Sequence, residues 1–182
     1  LGAHPQMTVA CVAVEVCSAA FYLDNDPGVI VSACLFGDGA AATIWRANAG
    51  PGRLACHDFD THHEPAERDC IRFEQRNGKL RNLLHPSVPE LAASAVGRLH
   101  ERTCRRLGSA PDRLITHGGG KDVIDAIERA LPGRDLEPTR TILRRHGNMS
   151  SPSVLFALEE ALLSAQPSPG DDWWLCSFGA GF

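Results

Sequence analysis

The chain has 182 residues, of which 43% are apolar and 22% charged, and its formal net charge is −4. This length and composition allow a hydrophobic core and predict a single globular domain over residues 1–182. The acidic balance and scattered arginines argue against nucleic acid as a partner. No apolar run reaches the roughly 20 residues that span a bilayer, and no leader-like segment opens the sequence, so we expect a cytoplasmic protein without a membrane partner.

The first half of the chain contains several strand-like segments. The nearly continuous apolar run over residues 7–17 is typical of a strand buried on both faces of a sheet. A turn is predicted at 24–28, and a short apolar segment follows at 29–35, before extended structure over 40–46. Residues 53–59 and 69–74 resemble a pair of strands. The dipeptide Asn77-Gly78 is a hairpin signal before a strand over 79–84.

The second half alternates between helices and strands. A helix is predicted from Pro89, with apolar residues at helical spacing until Gly108 and Pro111 end it. A strand over 114–116 precedes a helix over 122–131, and a further helix over 152–164 precedes an interior strand over 173–178. This alternation predicts an α/β fold, a layered mixed β-sheet covered by helices. Residue 1 is not Met and both ends carry strand-like apolar runs, so we expect a fragment or half of a larger unit.

Two polar residues stand where short apolar runs end. His117 lies in Leu-Ile-Thr-His-Gly-Gly-Gly (114–120), and Asn148 lies in Arg-His-Gly-Asn-Met-Ser-Ser (145–151). Each is followed by residues that open a helix, which is how a rigid scaffold presents side chains to a reacting carbonyl. An imidazole and a carboxamide that converge on one oxygen can stabilise the negative charge that forms when a thioester is attacked. Taken singly, a turn histidine and a helix-capping asparagine are the alternative interpretations.

The cysteines do not form a recognisable framework. There are seven, without Cys-x-x-Cys spacing, and their apolar surroundings predict buried thiols rather than disulfides or zinc ligands. A minor alternative places Asp58, Asp60 and His62 on one face of a strand as metal ligands. A solvated loop or edge strand explains the same residues, so we expect no metal and no cofactor.

Three glycine motifs invite other interpretations. Residues 37–42 fit the dinucleotide pattern G-x-G-x-x-A, but β-branched and aromatic residues follow where a helix should open. Residues 118–121 fail the P-loop pattern, because Ile115 replaces its first glycine and Asp122 its hydroxyl residue. The His-Gly-Gly-Gly string also occurs in esterases, yet the chain contains no Gly-x-Ser-x-Gly elbow.

Three segments together resemble a family of condensing enzymes. Cys-Leu-Phe-Gly-Asp-Gly-Ala-Ala-Ala (34–42), His-Gly-Gly-Gly (117–120) and Gly-Asn-Met-Ser-Ser (147–151), closed by Ser-Phe-Gly-Ala-Gly-Phe (177–182), are similar to the C-terminal half of the type III polyketide synthases, the chalcone and stilbene synthase family. The resemblance implies a thiolase-like fold of two similar halves and a homodimer. It also implies a Cys-His-Asn set that extends an acyl-CoA starter with malonyl-CoA.

The resemblance also assigns roles to individual residues. His117 and Asn148 match the catalytic His and Asn, and the implied substrate-binding residues are Phe36, Ala20, Ser150, Gly119 and Gly120. The implied nucleophilic Cys would precede residue 1, so we expect the chain alone to be inactive. A ketoacyl synthase III-like fatty-acid enzyme, or a noncatalytic binding or assembly module of the same fold, is the alternative. The starter group, the number of extensions and the mode of cyclisation are not encoded in these residues.

Overall fold

The computed structural model describes residues 4–47, 50 and 53–180. Strands and helices alternate along the chain, as predicted for an α/β protein. In chain order the elements are β1 (Thr8–Glu15), α1 (Pro27–Leu35), β2 (Gly39–Arg46), β3 (Ile71–Arg76), β4 (Lys79–Leu84), α2 (Val88–Leu107), β5 (Arg113–Thr116), α3 (Lys121–Ala130), α4 (Glu137–His146), α5 (Ser153–Ser164) and β6 (Trp173–Cys176).

The strands form three small sheets rather than one continuous sheet. Within the described residues β1 pairs with β2 and β3 pairs with β4, both antiparallel, whereas β5 and β6 run parallel. The described residues therefore contain both parallel and antiparallel strand pairs, as a mixed sheet does, but these pairs do not join into one sheet. The expectation that β1 is buried on both faces is wrong in this chain. Among the described residues only β2 is hydrogen-bonded to it, and Val12 and Val14 are 67% and 58% exposed.

The core is layered around β5. Successive side chains of a strand point to opposite faces. Leu114 accordingly packs with α2 and α3 in one hydrophobic cluster, and Ile115 packs with α4 and α5 in a second cluster. Strand β5, which directly precedes His117, is therefore packed on both faces. This is the part of the chain where the predicted layered arrangement is observed directly.

The predicted hairpin is confirmed. Asn77 and Gly78 have φ values of 53° and 75°, the positive pair that a two-residue type I′ turn requires, and they join β3 to β4. The predicted strand over 53–59 is wrong. This segment has no regular structure where it is described, and the loop that it begins is tied to α2 by ion pairs from Arg102 and Arg106 to Asp60.

Two helices differ from the sequence prediction. The apolar segment at 29–35 belongs to α1, because Asp26 caps the helix by accepting hydrogen bonds from the backbone N–H groups of Gly28 and Val29. Helix α4 was not predicted at all. The helices predicted from Pro89, Asp122 and Pro152 are confirmed to within a residue or two at the ends that were predicted, and Gly108 ends α2 in the left-handed conformation.

The expectation that the cysteines are buried is wrong for most of them. Cys176 is buried beside β5, whereas Cys11, Cys34 and Cys56 are exposed and the other three are partly exposed. Cys11 is exposed because it lies on β1, which has a single partner strand, and Cys56 because its segment is a loop rather than a strand. In the described part of the chain no helix has the length and apolarity needed to cross a membrane.

Candidate active site

His117 lies directly after β5, inside the protein. Its backbone N–H donates to the carbonyl oxygen of Cys176 on β6 at 2.8 Å, so the residue extends the parallel pairing by one step. The imidazole packs edge-on against the ring of Phe178, with 5.0 Å between centroids. The residue is only 6% exposed. Sheet pairing and ring packing together fix where this side chain stands.

Burial keeps the His117 ring neutral. Removal from water disfavours the imidazolium and lowers the pKa of His117 to about 4. Its Nδ1 is buried and has no hydrogen-bond partner among the described residues. A proton on Nδ1 would therefore be a buried, unsatisfied donor, which is costly. With the proton on Nε2 instead, Nδ1 is a buried unpaired acceptor and the neutral ring is a hydrogen-bond donor at Nε2.

Asn148 is held at both its backbone and its side chain. Its backbone N–H donates to Leu35 O at 2.8 Å and its carbonyl oxygen accepts from Gly37 N at 3.0 Å, so the residue pairs in parallel with Phe36. Its side-chain Oδ1 accepts from Ser150 N at 2.8 Å, and Nδ2 donates to Gly119 O at 3.1 Å. An amide NH₂ has two hydrogens, so one remains for a ligand.

Gly119 joins the two residues. Its carbonyl oxygen accepts the Asn148 amide, and a Cβ placed on it would lie 3.7 Å from His117 Cδ2 and 3.0 Å from Phe178 Cε2. Only a residue without a side chain leaves this space open without moving its neighbours. Gly120, the next residue, is the N-cap residue of α3 and lies close to Leu35 of α1. The structure thus brings His117, Asn148, Gly119 and Gly120 together.

A tight backbone crossing positions Asn148. A Cβ on Gly37 would lie 2.1 Å from His146 O, and a Cβ on Gly147 would lie 2.8 Å from Leu35 O. Gly147 also has a φ of 73°, which other residues rarely adopt. Since strand β2 begins at Gly39, no helix follows Gly37, and the dinucleotide interpretation of residues 37–42 is wrong.

Ser150 lies beside a polar cluster that sequence reasoning did not identify. It has a positive φ of 56° and its hydroxyl interacts with the Cys17 thiol, whose pKa is raised by burial and by Glu15 despite that interaction. Ser18 donates to the Asp38 carboxylate from its backbone N–H at 2.8 Å and from its hydroxyl at 2.6 Å. A raised pKa disfavours the thiolate, so Cys17 is a poor nucleophile.

Ala20 and Phe36 lie in different parts of the structure, since Ala20 precedes α1 and Phe36 directly follows it. Phe36 ends the helix and pairs with Asn148. Ala20 instead borders a narrow pocket between α1 and β4, whose other walls include Val29, Ser32 and Asn82. Of the predicted site residues, Ala20 is therefore the one not joined to the cluster around Gly119.

The alternative metal ligands are already engaged. Asp58 and Asp60 pair with Arg106 at 2.7 and 2.9 Å, and His62 pairs with Glu64 at 2.9 Å. Residues 4–47, 50 and 53–180 contain no group of three or more His, Cys, Asp or Glu side chains arranged to hold a metal. These residues fasten a loop to α2.

Comparison with known proteins points to condensing enzymes. Residues 108–182 match the family described as the 3-oxoacyl-[acyl-carrier-protein] synthase III C terminal. The chain is 33% identical to a 3,5-dihydroxyphenylacetyl-CoA synthase of Streptomyces toyocaensis, over 98% of the chain and 49% of that protein. It is 29% identical to a 1,3,6,8-tetrahydroxynaphthalene synthase of Streptomyces peucetius subsp. caesius, over 98% of the chain and 50% of that protein.

The fold agrees with the sequence comparison. The crystal structure of 1,3,6,8-tetrahydroxynaphthalene synthase from Streptomyces coelicolor A3(2), a bacterial type III polyketide synthase, matches with a TM-score of 0.86 and 28% identity, over 99% of the chain and 53% of that structure. A polyketide synthase of the brown alga Ectocarpus siliculosus matches with a TM-score of 0.85 at 25% identity, over 98% and 51%. The chain spans about half the length of the curated relatives it matches. In sequence and in its thiolase-like fold, the chain is similar to type III polyketide synthases over nearly its whole length.

Proposed function

We propose that the protein carrying this chain catalyses the decarboxylative condensation of malonyl-CoA with an acyl-CoA starter. The observation that carries the proposal is the junction at Gly119, whose carbonyl oxygen accepts the Asn148 carboxamide and whose α-carbon lies beside the buried, neutral His117 imidazole. The condensing enzymes among the relatives, one of them named for a CoA thioester, support this substrate class. No further cofactor is proposed, because the CoA thioester itself activates the acyl group.

His117 and Asn148 are proposed to hold the thioester oxygen of the malonyl group. When the C–C bond to the carboxylate breaks, CO₂ leaves and the bonding electrons form an enolate whose negative charge lies on that oxygen. A neutral His117 donates from Nε2 and Asn148 donates its remaining Nδ2 hydrogen. Fixed donors in a water-poor site stabilise the developing charge, and each is worth roughly 3 kcal/mol of transition-state energy.

The enolate carbon then attacks the acyl thioester, and the departing sulfur takes the electron pair of the broken C–S bond. We propose that this sulfur belongs to a cysteine outside the 182 residues, because the chain spans about half the length of the relatives it matches and Cys17, which lies beside Ser150, is disfavoured as a thiolate. The chain alone would then lack one of three catalytic groups and be inactive. Phe36, Ser150, Gly119 and Gly120 would border the reacting groups, and Ala20 the acyl group further away. The full-length protein would be a homodimer.

A fatty-acid condensing enzyme of the ketoacyl synthase III kind is the second candidate. The match of residues 108–182 to the C-terminal region of such synthases favours it specifically. Both enzymes would use His117 and Asn148 in the same way, so the site itself does not separate them. The carrier of the malonyl group does, because a synthase of that kind takes it from acyl carrier protein.

The test is an assay of the full-length protein with malonyl-CoA, or with malonyl-loaded acyl carrier protein, and a panel of acyl-CoA starters. Mass spectrometry follows CO₂ release and the products. We expect the full-length protein to convert malonyl-CoA into products that contain two or more extender units. Turnover of the carrier-bound malonyl group alone, with a single extension, would establish the second candidate instead.

A further inference from the structure

Asn82 carries a buried side-chain oxygen that nothing satisfies. The residue lies on β4, it is only 6% exposed, and its Oδ1 has no hydrogen-bond partner among the described residues. Leaving a buried acceptor unpaired is unfavourable, so such a group usually has a partner that the free protein does not supply. Asn82 is also one of the residues that line the pocket between α1 and β4.

The pocket around Asn82 is otherwise mostly apolar. Its walls are formed by the segment after β1, by α1 and by β4. Besides Asn82, the polar residues of the lining are Tyr22 and Ser32, and the Ser32 hydroxyl already donates its hydrogen to Gly28 O at 2.7 Å. The space has room for about one water-sized group. Its lining residues are Ala20, Phe21, Tyr22, Val29, Ser32, Ala33, Leu80 and Asn82.

The walls of this pocket are held in place. Arg81, beside Asn82, pairs with the Asp26 carboxylate at 2.6 Å, and the same carboxylate caps α1 through Gly28 N at 2.9 Å. A Cβ on Gly28 would lie 3.1 Å from Asn82 O, so helix and strand are in close contact. The unsatisfied oxygen therefore sits in a preformed pocket rather than on a loose strand.

The pocket lies about one turn of α1 away from the candidate active site. Ser32 O accepts the backbone N–H of Phe36 at 3.0 Å, and Phe36 pairs with Asn148. Four residues of helix span about 6 Å. An acyl group whose thioester lies at Asn148 could therefore reach the pocket with a substituent a few bonds along its chain.

We infer that Asn82 is a specificity-determining residue that accepts a hydrogen bond from a hydroxyl group on the acyl chain. This deepens the proposed function and rests on it. The narrow space beside Asn82 suits a group of the size of a hydroxyl. An acyl group without that hydroxyl would leave the buried Oδ1 unpaired, and sites built to bind a hydroxyl reject analogues that lack it.

The test uses the full-length protein and pairs of acyl-CoA starters that differ by one hydroxyl at successive chain positions. The kcat/KM for condensation, and the binding affinity without malonyl-CoA by calorimetry, are measured for the wild type, Asn82→Leu and Thr103→Val. Thr103 is a matched control, since its Oγ1 is also buried and unpartnered in the described structure but does not line the pocket.

The wild type and Thr103→Val should prefer one hydroxylated starter by about tenfold, and Asn82→Leu should lose that preference. Condensation without any such preference would overturn the role of Asn82, as expected if a trapped water satisfies Oδ1, while the proposed function would stand. Retention of the preference by Asn82→Leu would overturn it equally. A binding preference that depends on Asn82, without condensation, would support the inference and defeat the proposed function.

Discussion

Asn148 donates its side-chain amide to the carbonyl oxygen of Gly119, 3.1 Å away and two residues after His117. This bond joins two segments that are distant in sequence, since Gly119 follows β5 and Asn148 follows α4. It fixes which hydrogen of the amide is committed and which is left for a substrate. The geometry of the site therefore depends on a glycine carbonyl as much as on the two side chains.

The buried His117 ring should make stability depend on pH. Its pKa is lowered to about 4, whereas an imidazole in the unfolded chain titrates near its ordinary value of 6.5. Below that ordinary value His117 binds a proton in the unfolded state but not in the folded state, so the free energy of unfolding decreases as the pH falls toward 4. Urea unfolding of the full-length protein should show His117 contributing a loss of about 2 kcal/mol between about pH 7 and about pH 5. The variant His117→Gln should lack this component, and an unchanged pH dependence would contradict the burial.

The backbone crossing beside Asn148 should not tolerate a side chain at Gly37. A methyl group there would lie 2.1 Å from His146 O. Because that oxygen belongs to the backbone, the segment at Gly37 and the end of α4 would have to move apart. We expect Gly37→Ala to cost at least 2 to 3 kcal/mol of unfolding free energy, on the order of a disrupted core site. Gly97→Ala is the matched control, because this glycine lies within α2 with nothing near its Cβ position.

The control should behave in the opposite way. Alanine favours a helix interior over glycine by up to about 1 kcal/mol, so Gly97→Ala should raise the midpoint of urea unfolding. Equal effects of the two substitutions would show that the contact at Gly37 has no energetic importance.

The Thr139 hydroxyl should stabilise β5, the strand that directly precedes His117. Its buried hydroxyl donates to the Thr116 carbonyl oxygen at 3.0 Å. Thr139→Val keeps the shape but leaves that buried carbonyl without its side-chain donor, which should cost roughly 1 to 3 kcal/mol. Thr103→Val removes a hydroxyl that makes no hydrogen bond within the described structure, and it should be nearly neutral or stabilising. Thermal unfolding of both variants separates the loss of a hydrogen bond from the loss of a hydroxyl.

How far the sequence predicts this structure depends on how local the signal is. The hairpin at Asn77-Gly78 and the end of α2 at Gly108 were predictable, because both need a positive φ that those residues supply. Helix α4 was missed because its buried face is short and is formed by Pro138, Thr139, Thr141 and Ile142, which gives little apolar periodicity. The strand expected over 53–59 is a loop, since its acidic neighbours are held by arginines that lie over 40 residues away.

The candidate site shows the same division. His117 and Asn148 were identifiable from their positions after apolar runs and from the family resemblance. The role of Asn82 was not, because an isolated asparagine in a strand pattern carries no signal until its burial and its unsatisfied oxygen are known. The polar cluster of Ser18 and Asp38 also joins residues 20 positions apart, which no local pattern indicates.

The most direct measurement of the central claim is the rate of malonyl-CoA decarboxylation by the full-length protein and its variants His117→Ala, Asn148→Ala and the double variant. His146→Ala is the control, because that histidine is the last residue of α4, is exposed and packs its ring edge-on against Phe156. If the two residues hold one oxygen, each single variant should lose about 10²- to 10³-fold in rate. The double variant should lose far less than the product of the two, and circular dichroism should show an intact fold. Decarboxylation at the wild-type rate in either single variant would contradict the account.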